Sequence, residues 1–549
     1  MRGRANCHAD HPLTDTWWQR GVIYQIYPRS FQDANGDGIG DLDGIMQRVE
    51  YCASLGVDVL WLSPIYPSPM ADFGYDVSDY KDVHPMFGTL AEFDALTAEI
   101  KRRDMKLILD YVPNHTSHEH PWFKDSRSGR HSSKRDWYLW HDPRADGGPP
   151  NNWLSNFGGS AWEWDAHTGQ YYYHSFLNEQ PDLNWRHPDV VSAMHDVLRF
   201  WLNRGVDGFR VDVLWLLIKD DRWRDNPPNP DYKPEMPLFH TQLPVYTTDR
   251  PEIQNIVTGL RRVLDEFDSR VLIGEIYLPL DRLMAYYGTN LDGVQLPFNF
   301  QLLQSIWNAR RIAALIDQYE AALPPGGWPN WVLGNHDSPR IASRVGLSQA
   351  RVAAMLLLTL RGTPTLYYGD ELGMVNVPIA ANRVQDPLEK NVPGNGLGRD
   401  PSRTPMQWDG SPQAGFTVGD PWLPISDDFA VVNVRSEEDD AASLLSLYRC
   451  LLLLRRSYPA LSVGEYEPVA ATGDLLAYLR RAQGKRLLVA LNLGAEPYSL
   501  SIDLLGSRGQ ILLSTYMDRN HELVVGSVGL RPDEGVIMLL SALKDPLPS

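Results

Sequence analysis

Eight short runs rich in β-branched and aromatic residues alternate with helical stretches through the first four fifths of this chain, and no other feature restricts its fold as tightly. The runs cover residues 22–27, 57–62, 106–111, 208–213, 271–275, 293–298, 331–334 and 365–368. Strand and helix repeated in this way give parallel strands with crossover helices, so the expected fold is α/β, a (β/α)₈ TIM barrel. Several runs lead into charged or imidazole side chains: Asp110 and His115, Arg210 and Asp212, Glu275, His336 and Asp337, Asp370 and Glu371. The C-terminal ends of barrel strands converge on one face, where such barrels carry their chemistry. A shared site follows.

Spacing locates what is added to the barrel. Glu275 and Asp337 stand about two βα units of roughly 30 residues apart, as neighbouring units with one strand between them should. The third and fourth runs are separated by far more than one unit needs. The excess, rich in Gly, Pro, Trp and Asn, reads as a small inserted domain over the barrel mouth. Segment 221–250, with prolines at 227, 228, 230, 234, 237 and 244, should be an irregular loop. Past an apolar helix at 443–457, short alternating strands at 475–480, 486–493, 510–514 and 536–540 indicate an antiparallel β domain. The expected organisation is a barrel of residues 1–112 and 186–460, an inserted domain 113–185 and a C-terminal β-sandwich 461–549.

Composition narrows the partners. A formal charge of −18 lacks the basic footprint that nucleic acid or an anionic membrane requires, so a small neutral or cationic ligand is expected. No run approaches the roughly 20 apolar residues of a membrane span. Eighteen Trp and 25 Tyr offer faces on which sugar rings can stack, although most such rings belong to the core. Cys7, Cys52 and Cys450 form no disulfide framework, and no apolar run follows the basic N-terminus. A reduced, cytoplasmic protein is expected, monomeric or homodimeric.

Cleaving a glycosidic bond with retention requires one carboxylate as nucleophile and a carboxylic acid about 5–5.5 Å away as acid and base. Asp212 and Glu275 end neighbouring strands and can form such a pair. Arg210 shares a strand face with Asp212 and should hold it ionised, while negative charge at 212 and 337 should raise the pKa of Glu275.

Five segments then carry a resemblance: DYVPNH (110–115), QPDLN (180–184), GFRVDV (208–213), IGEI (273–276) and GNHD (334–337), supported by GVIYQIYPRSF (21–31), FGYDVSDY (73–80), FGGSAW (157–162) and RTPMQW (403–408). The chain resembles glycoside hydrolase family 13, the α-amylase family, in its oligo-1,6-glucosidase and α-glucosidase group. That resemblance implies Asp212 as nucleophile, Glu275 as general acid/base and Asp337 as a third carboxylate that grips sugar hydroxyls. It further implies that His115 and His336 bind the first glucose and that Asp72, Tyr75 and Arg399 close the pocket, with Arg403 a rival for the role of Arg399. Phe157, Phe176 and Gln180 would line the pocket from the inserted domain. Val213, beside the nucleophile, is the residue type the family associates with α-1,6 linkages. The activity implied is hydrolysis of terminal α-linked glucose from maltose-, isomaltose- or sucrose-type substrates, with transglucosylation. An α-glucosyltransferase or disaccharide isomerase on the same scaffold is the alternative, and a non-catalytic sugar-binding barrel a third reading.

Crowding of Arg, two His and several carboxylates at one barrel end favours a blind pocket. No cofactor is expected for catalysis. The segment from Asp33 to Asp41 spaces Asp33, Asn35, Asp37, the carbonyl of Ile39 and Asp41 as in a calcium loop, but Gly44 stands where the bidentate Glu would be. A structural Ca²⁺ or Mg²⁺ and a plain Gly/Asp turn are both open on this spacing.

Overall fold

In a computed structural model, which describes residues 16–503 and 507–542, strand pairing runs in register around a ring. The chain lays down β1 (Ile23–Ile26), β2 (Val59–Leu62) and β3 (Lys106–Tyr111). It then makes a detour through β4 (Trp140–His141), β5 (Trp162–Asp165) and β6 (Gln170–Tyr173). The ring resumes with β7 (Gly208–Val211), β8 (Val271–Glu275), β9 (Leu296–Phe298), β10 (Asn330–Val332) and β11 (Thr363–Tyr367). The eight parallel strands are ordered β10-β11-β1-β2-β3-β7-β8-β9, and a parallel bridge from Asn299 to Trp331 joins the two ends. Cys7, most of the N-terminal segment on which the absence of a secretion signal was read, and residues 543–549 lie outside the described residues.

Period-two alternation sorts the strand side chains into two cores. Tyr24, Ile26, Leu60, Leu62, Leu107, Leu109, Phe209, Val211 and Leu272 belong to the cluster shared with the outer helices. Ile23, Val59, Trp61, Ile108, Val271, Ile273, Leu296, Phe298 and Val332 pack together as a separate cluster inside the ring. Inward positions nearer the C-terminal ends are polar and buried: Gln25, Asp110, Arg210 and Glu275. Register sets Asp110 beside Arg210. The barrel interior is thus apolar below and charged above, and the charged layer forms the floor of the site. Gly208 is needed for this closeness, since a Cβ there would lie 2.4 Å from the carbonyl oxygen of Val271.

Several strands are shorter than the apolar pattern suggests. β7 stops at Val211 because Val213 takes a left-handed backbone, φ 38° and ψ 45°. The sixth strand loses residues 293–295, because Gly293 is packed against the backbone of Tyr286 to Gly288 in a turn.

The helix Leu347–Thr359 is buried along almost its whole length between the barrel and the C-terminal strands. Those strands are β12 (Glu465–Thr472), β13 (Leu475–Ala482), β14 (Lys485–Asn492), β15 (Tyr498–Ser501), β16 (Ser507–Ser514), β17 (Leu523–Val525), β18 (Ser527–Leu530) and β19 (Gly535–Ala542). An antiparallel sheet, β12-β13-β14-β19-β16-β17, faces the pair β15-β18. In β13, Leu475, Ala477 and Leu479 point into the space between the sheets, whereas Leu476 and Tyr478 join the barrel-side core. Tyr478 is hydrogen-bonded to Thr359 of the buried helix at 2.6 Å, which ties the β domain to the barrel. β12 escapes an alternation reading because Pro468 and a register shift interrupt it, as an edge strand tolerates.

Candidate active site

Arg210 organises the charged layer. Its guanidinium is 1% exposed, so its charge must be met within the protein. Nη1 donates to Asp110 Oδ1 at 2.7 Å and to Asp212 Oδ1 at 2.8 Å, while Nη2 lies 2.8 Å from Glu275 Oε2. The same Glu275 oxygen accepts the backbone amide of Val213 at 2.8 Å. A buried, β-branched residue with positive φ is strained, and the strained turn aims that amide at Glu275 while leaving Asp212 at the strand mouth.

Arg210 meets Asp212 and favours its ionised form, but it serves three carboxylates at once and burial outweighs it. Burial raises both Asp212 and Glu275 above the ordinary carboxylate range; the charges of Glu275, Asp110 and Asp337 push Asp212 further up, and that of Asp337 does the same for Glu275. Arg210 pulls both back. Two close buried carboxyls under such repulsion titrate as a pair, and the pair retains a proton that isolated carboxyls would lose.

Asp337 has a different environment. Arg403 Nη2 donates to its Oδ1 at 2.7 Å, Arg399 Nη1 stands 3.5 Å away and His336 Nε2 is 3.2 Å from Oδ2. Although burial alone would raise it, these neighbours hold the carboxyl well below the usual range. The rivalry between Arg399 and Arg403 therefore resolves into a division of work. Arg403 grips Asp337 and the His336 carbonyl, and Arg399 pairs mainly with Asp72 and Asp386 at 2.7 Å each.

Both histidines are neutral. Burial drives His336 well below its ordinary pKa and lowers His115 to about 4. Gln25 Nε2 donates to His336 Nδ1 at 2.9 Å, which leaves the proton on Nε2, 2.6 Å from the Tyr75 hydroxyl. Tyr75 in turn donates to Asp110 at 3.2 Å and stacks on the imidazole, 5° from parallel. Asn114 Nδ2 lies 3.1 Å from His115 Nδ1, so His115 presents Nε2–H to the Tyr75 carbonyl at 3.0 Å. Asn114 is itself held by Asp182 and by the buried Lys219, at 2.9 and 2.7 Å.

A cavity of about 520 Å³ is lined by Asp72, Tyr75, His115, Phe157, Phe176, Asp212, Val213, Glu275, His336, Asp337 and Arg399. Gln180 and Arg210 stand behind this wall, the former 3.4 Å from Asp72 and 3.2 Å from His115. Sequence reasoning undervalued Asp110 and did not find Gln25, Tyr277 or Asp386. The first of these was visible as a strand-end carboxylate. It also treated the Pro-rich loop as mere irregularity, yet Asn226, Phe239, His240, Gln242 and Thr247 from that loop line the cavity.

The candidate cation loop is tied to itself. Asp33 accepts the amides of Asn35, Gly36 and Gly38, Asn35 that of Asp37, and Asp37 that of Ile39. Asp41 turns away to cap the helix Leu42–Leu55 through Gly44 and to accept the amide of Ala34. Among the described residues, no three His, Cys, Asp or Glu side chains gather as a metal-holding group.

Residues 25–464 match the family model described as the α-amylase catalytic domain. The chain belongs to that family, glycoside hydrolase family 13. It is 43% identical to a probable α-glucosidase of Rhizobium meliloti (strain 1021), over 87% of this chain and 90% of the relative. It is 37% identical to an oligo-1,6-glucosidase of Halalkalibacterium halodurans, over 96% and 99%. Its fold overlays the crystal structure of an α-glucosyl transfer enzyme, XgtA, with a TM-score of 0.90 at 39% identity, covering 96% of this chain and 99% of that one. The chain is a family 13 glycoside hydrolase of the α-glucosidase and oligo-1,6-glucosidase group, and its barrel and antiparallel C-terminal domain match the expected fold. As a member of that family it acts on a small glycoside and needs no catalytic cofactor.

Proposed function

We propose that the protein is a retaining, exo-acting α-glucosidase in which Asp212 is the nucleophile, Glu275 the general acid/base and Asp337 the carboxylate that grips glucose hydroxyls. The observation that carries this reading is the bridging of Asp212 and Glu275 by adjacent nitrogens of one guanidinium at 2.8 Å each, with Asp337 lining the same cavity. Sharing one guanidinium makes the two carboxyls close neighbours at the same end of the barrel, and a close carboxyl pair is what retention requires. Asp212 attacks the anomeric carbon as Glu275 passes its proton to the departing glycosidic oxygen, giving a glucosyl ester. Water, deprotonated by Glu275, then attacks that carbon and releases Asp212. The proton shared by the pair is the one the first step spends.

Asp72, Tyr75, His115, His336 and Arg399 hold the terminal glucose, and Phe157 and Phe176 enclose it. Likeness to a glucosyl transfer enzyme supports a second outcome from the same ester, in which a sugar hydroxyl replaces water. Disaccharide isomerisation is a variant of that step. Asp212→Asn should lower kcat by more than 10³-fold with the melting temperature unchanged, and substantial residual turnover would remove Asp212 from its role. Product analysis on maltose, isomaltose, sucrose and trehalose distinguishes hydrolysis from transfer.

We also place the domain borders after residues 112, 185 and 460, and the protein, monomeric or homodimeric, in the cytoplasm. Among the described residues no helix is long and apolar enough to cross a membrane, and Cys52 and Cys450 are unbridged. A cation at the 33–41 loop would be structural, held by Asp33, Asn35, Asp37 and the Ile39 carbonyl. EDTA should then change thermal stability and leave kcat/KM of the folded enzyme unaltered.

A further inference from the structure

The loop that presents His336 and Asp337 to the cavity leaves β10 at Gly334 and ends at Arg340, and its underside rests on the residues that follow β11. Arg340 is wholly buried. Its Nη1 donates to the Tyr368 carbonyl at 2.7 Å and lies 3.9 Å from Asp370 Oδ1, and its guanidinium sits 4.8 Å from the ring centres of Tyr367 and Tyr368. Asp370, 3% exposed, lies against the other end of the loop: its Oδ2 would be 3.1 Å from a Cβ placed at Gly334. Arg344 adds a bond from Nη1 to the Leu333 carbonyl at 2.8 Å. The next residue, Glu371, accepts the hydroxyls of Tyr24 on β1 and Tyr51 on the adjoining helix at 2.7 and 2.6 Å, which fixes the platform to the barrel.

None of these groups lines the cavity, and charges buried this deeply need a compensating partner. We propose that Arg340 and Asp370 are positioning residues that set the height and orientation of Asp337 from beneath. The inference rests on the reading of Asp337 as the carboxylate that grips glucose.

Burial raises Asp370 to about 7 despite Arg340, so its ionisation falls near neutral pH. The groups that act on it are Arg340, the neighbouring Glu371, a backbone hydrogen bond from Tyr367, Arg344, and Tyr448 from the helix Leu444–Ser457, while Glu437 bears on it through Glu371. Above neutrality the carboxylate completes the pair with Arg340, and below it the acid form does not. Asp370→Asn imitates the acid form.

The test compares Asp370→Asn with the parent enzyme on an aryl α-glucoside from pH 5.5 to 8.5, together with Kd for 1-deoxynojirimycin, a basic glucose analogue. The expected result is kcat/KM within about 2-fold of the parent at pH 6 and about 10-fold lower at pH 8, with Kd weakened in parallel, as sub-ångström misplacement of a binding carboxylate should produce. A ratio that stays constant across pH, or parent-like activity at pH 8, overturns the proposal. Should Asp370→Asn fail to fold, Arg340→Lys carries the same test. It keeps the charge beside Asp370 but cannot span to the Tyr368 carbonyl and the carboxylate together, and the loss expected is again largest at pH 8. Asp337→Asn, assayed alongside, separates the two claims: if it retains activity, the reading of Asp337 fails, whereas a pH-independent Asp370→Asn with inactive Asp337→Asn defeats only the positioning.

Discussion

Replacing Arg399 by Met probes the energetics of the ion cluster it forms with Asp72 and Asp386. Arg399 is 9% exposed and donates to Asp72 once and to Asp386 through Nε and Nη2, at distances from 2.7 to 3.2 Å. Met retains most of the apolar stem and removes the fork, which also lies 5.0 Å from the Phe157 ring centre and 3.5 Å from Asp337. Asp386, fully buried, would keep the amides of Leu388 and residue 399, and Asp72, 4% exposed, would keep only Gln180 at 3.4 Å. Breaking a buried pair by removing one partner costs about 3–5 kcal/mol, most of it the penalty of the abandoned charge. Asp386 is already supported by amides, so the larger share falls on Asp72, which burial raises above its usual pKa even with Arg399 present. Without the guanidinium Asp72 should rise further and take up a proton, so the loss of stability should shrink as pH falls from 7 to 5. Urea unfolding at pH 7 should show a loss of about 3 kcal/mol for R399M, and R399M/D72N should recover at least half of it. A loss below about 1 kcal/mol, or a double variant no better than the single, would refute the argument that the abandoned charge sets the cost.

Two further outcomes follow from the geometry. His115 titrates at about 4 when folded and near 6.5 when unfolded, so the unfolded chain binds the extra proton and stability is lost as pH falls from about 6.5 to 4. The size is about 3–4 kcal/mol at about 1.4 kcal/mol per pKa unit, and pH-dependent unfolding of His115→Asn, which lacks the proton site, should lose that part of the slope. Gly208→Ala should destabilise by about 3 kcal/mol, because the new methyl meets a strand carbonyl at 2.4 Å that cannot retreat without breaking the β7 to β8 register. An Ala variant as stable as the parent would mean the ring has slack at this point.

Local pattern made the barrel readable, because strands buried on two faces leave continuous apolar runs and their polar ends are conspicuous. The same rule overshot strand ends wherever backbone geometry intervenes, as at Val213 and Gly293. Asp212, Glu275 and Asp337 were legible as strand-end acids inside recognisable segments. What Arg210 does with them was not, since a guanidinium two residues from one carboxylate gives no sign that a second arrives from β8 and a third from β3. Arg399 and Arg403 could be nominated but not separated, because their partners Asp72 and Asp337 lie 327 and 66 residues away in the chain. The Pro-rich loop shows the limit most clearly: its composition announces irregularity, yet nothing periodic in it indicates which side chains turn inward.

The backbone twist at Val213 makes this position two instruments in one. Its side chain contributes to the shape of the cavity next to Asp212, and its peptide nitrogen holds Glu275 in place. A glycine introduced there would relax the twist and free Glu275 to wander, so under the proposed roles a change in linkage preference would arrive together with a slower first step. Libraries that vary residue 213 to tune selectivity would therefore also sample the alignment of Asp212 with Glu275, and hits from them should be ranked by turnover on an activated leaving group before being credited to pocket size.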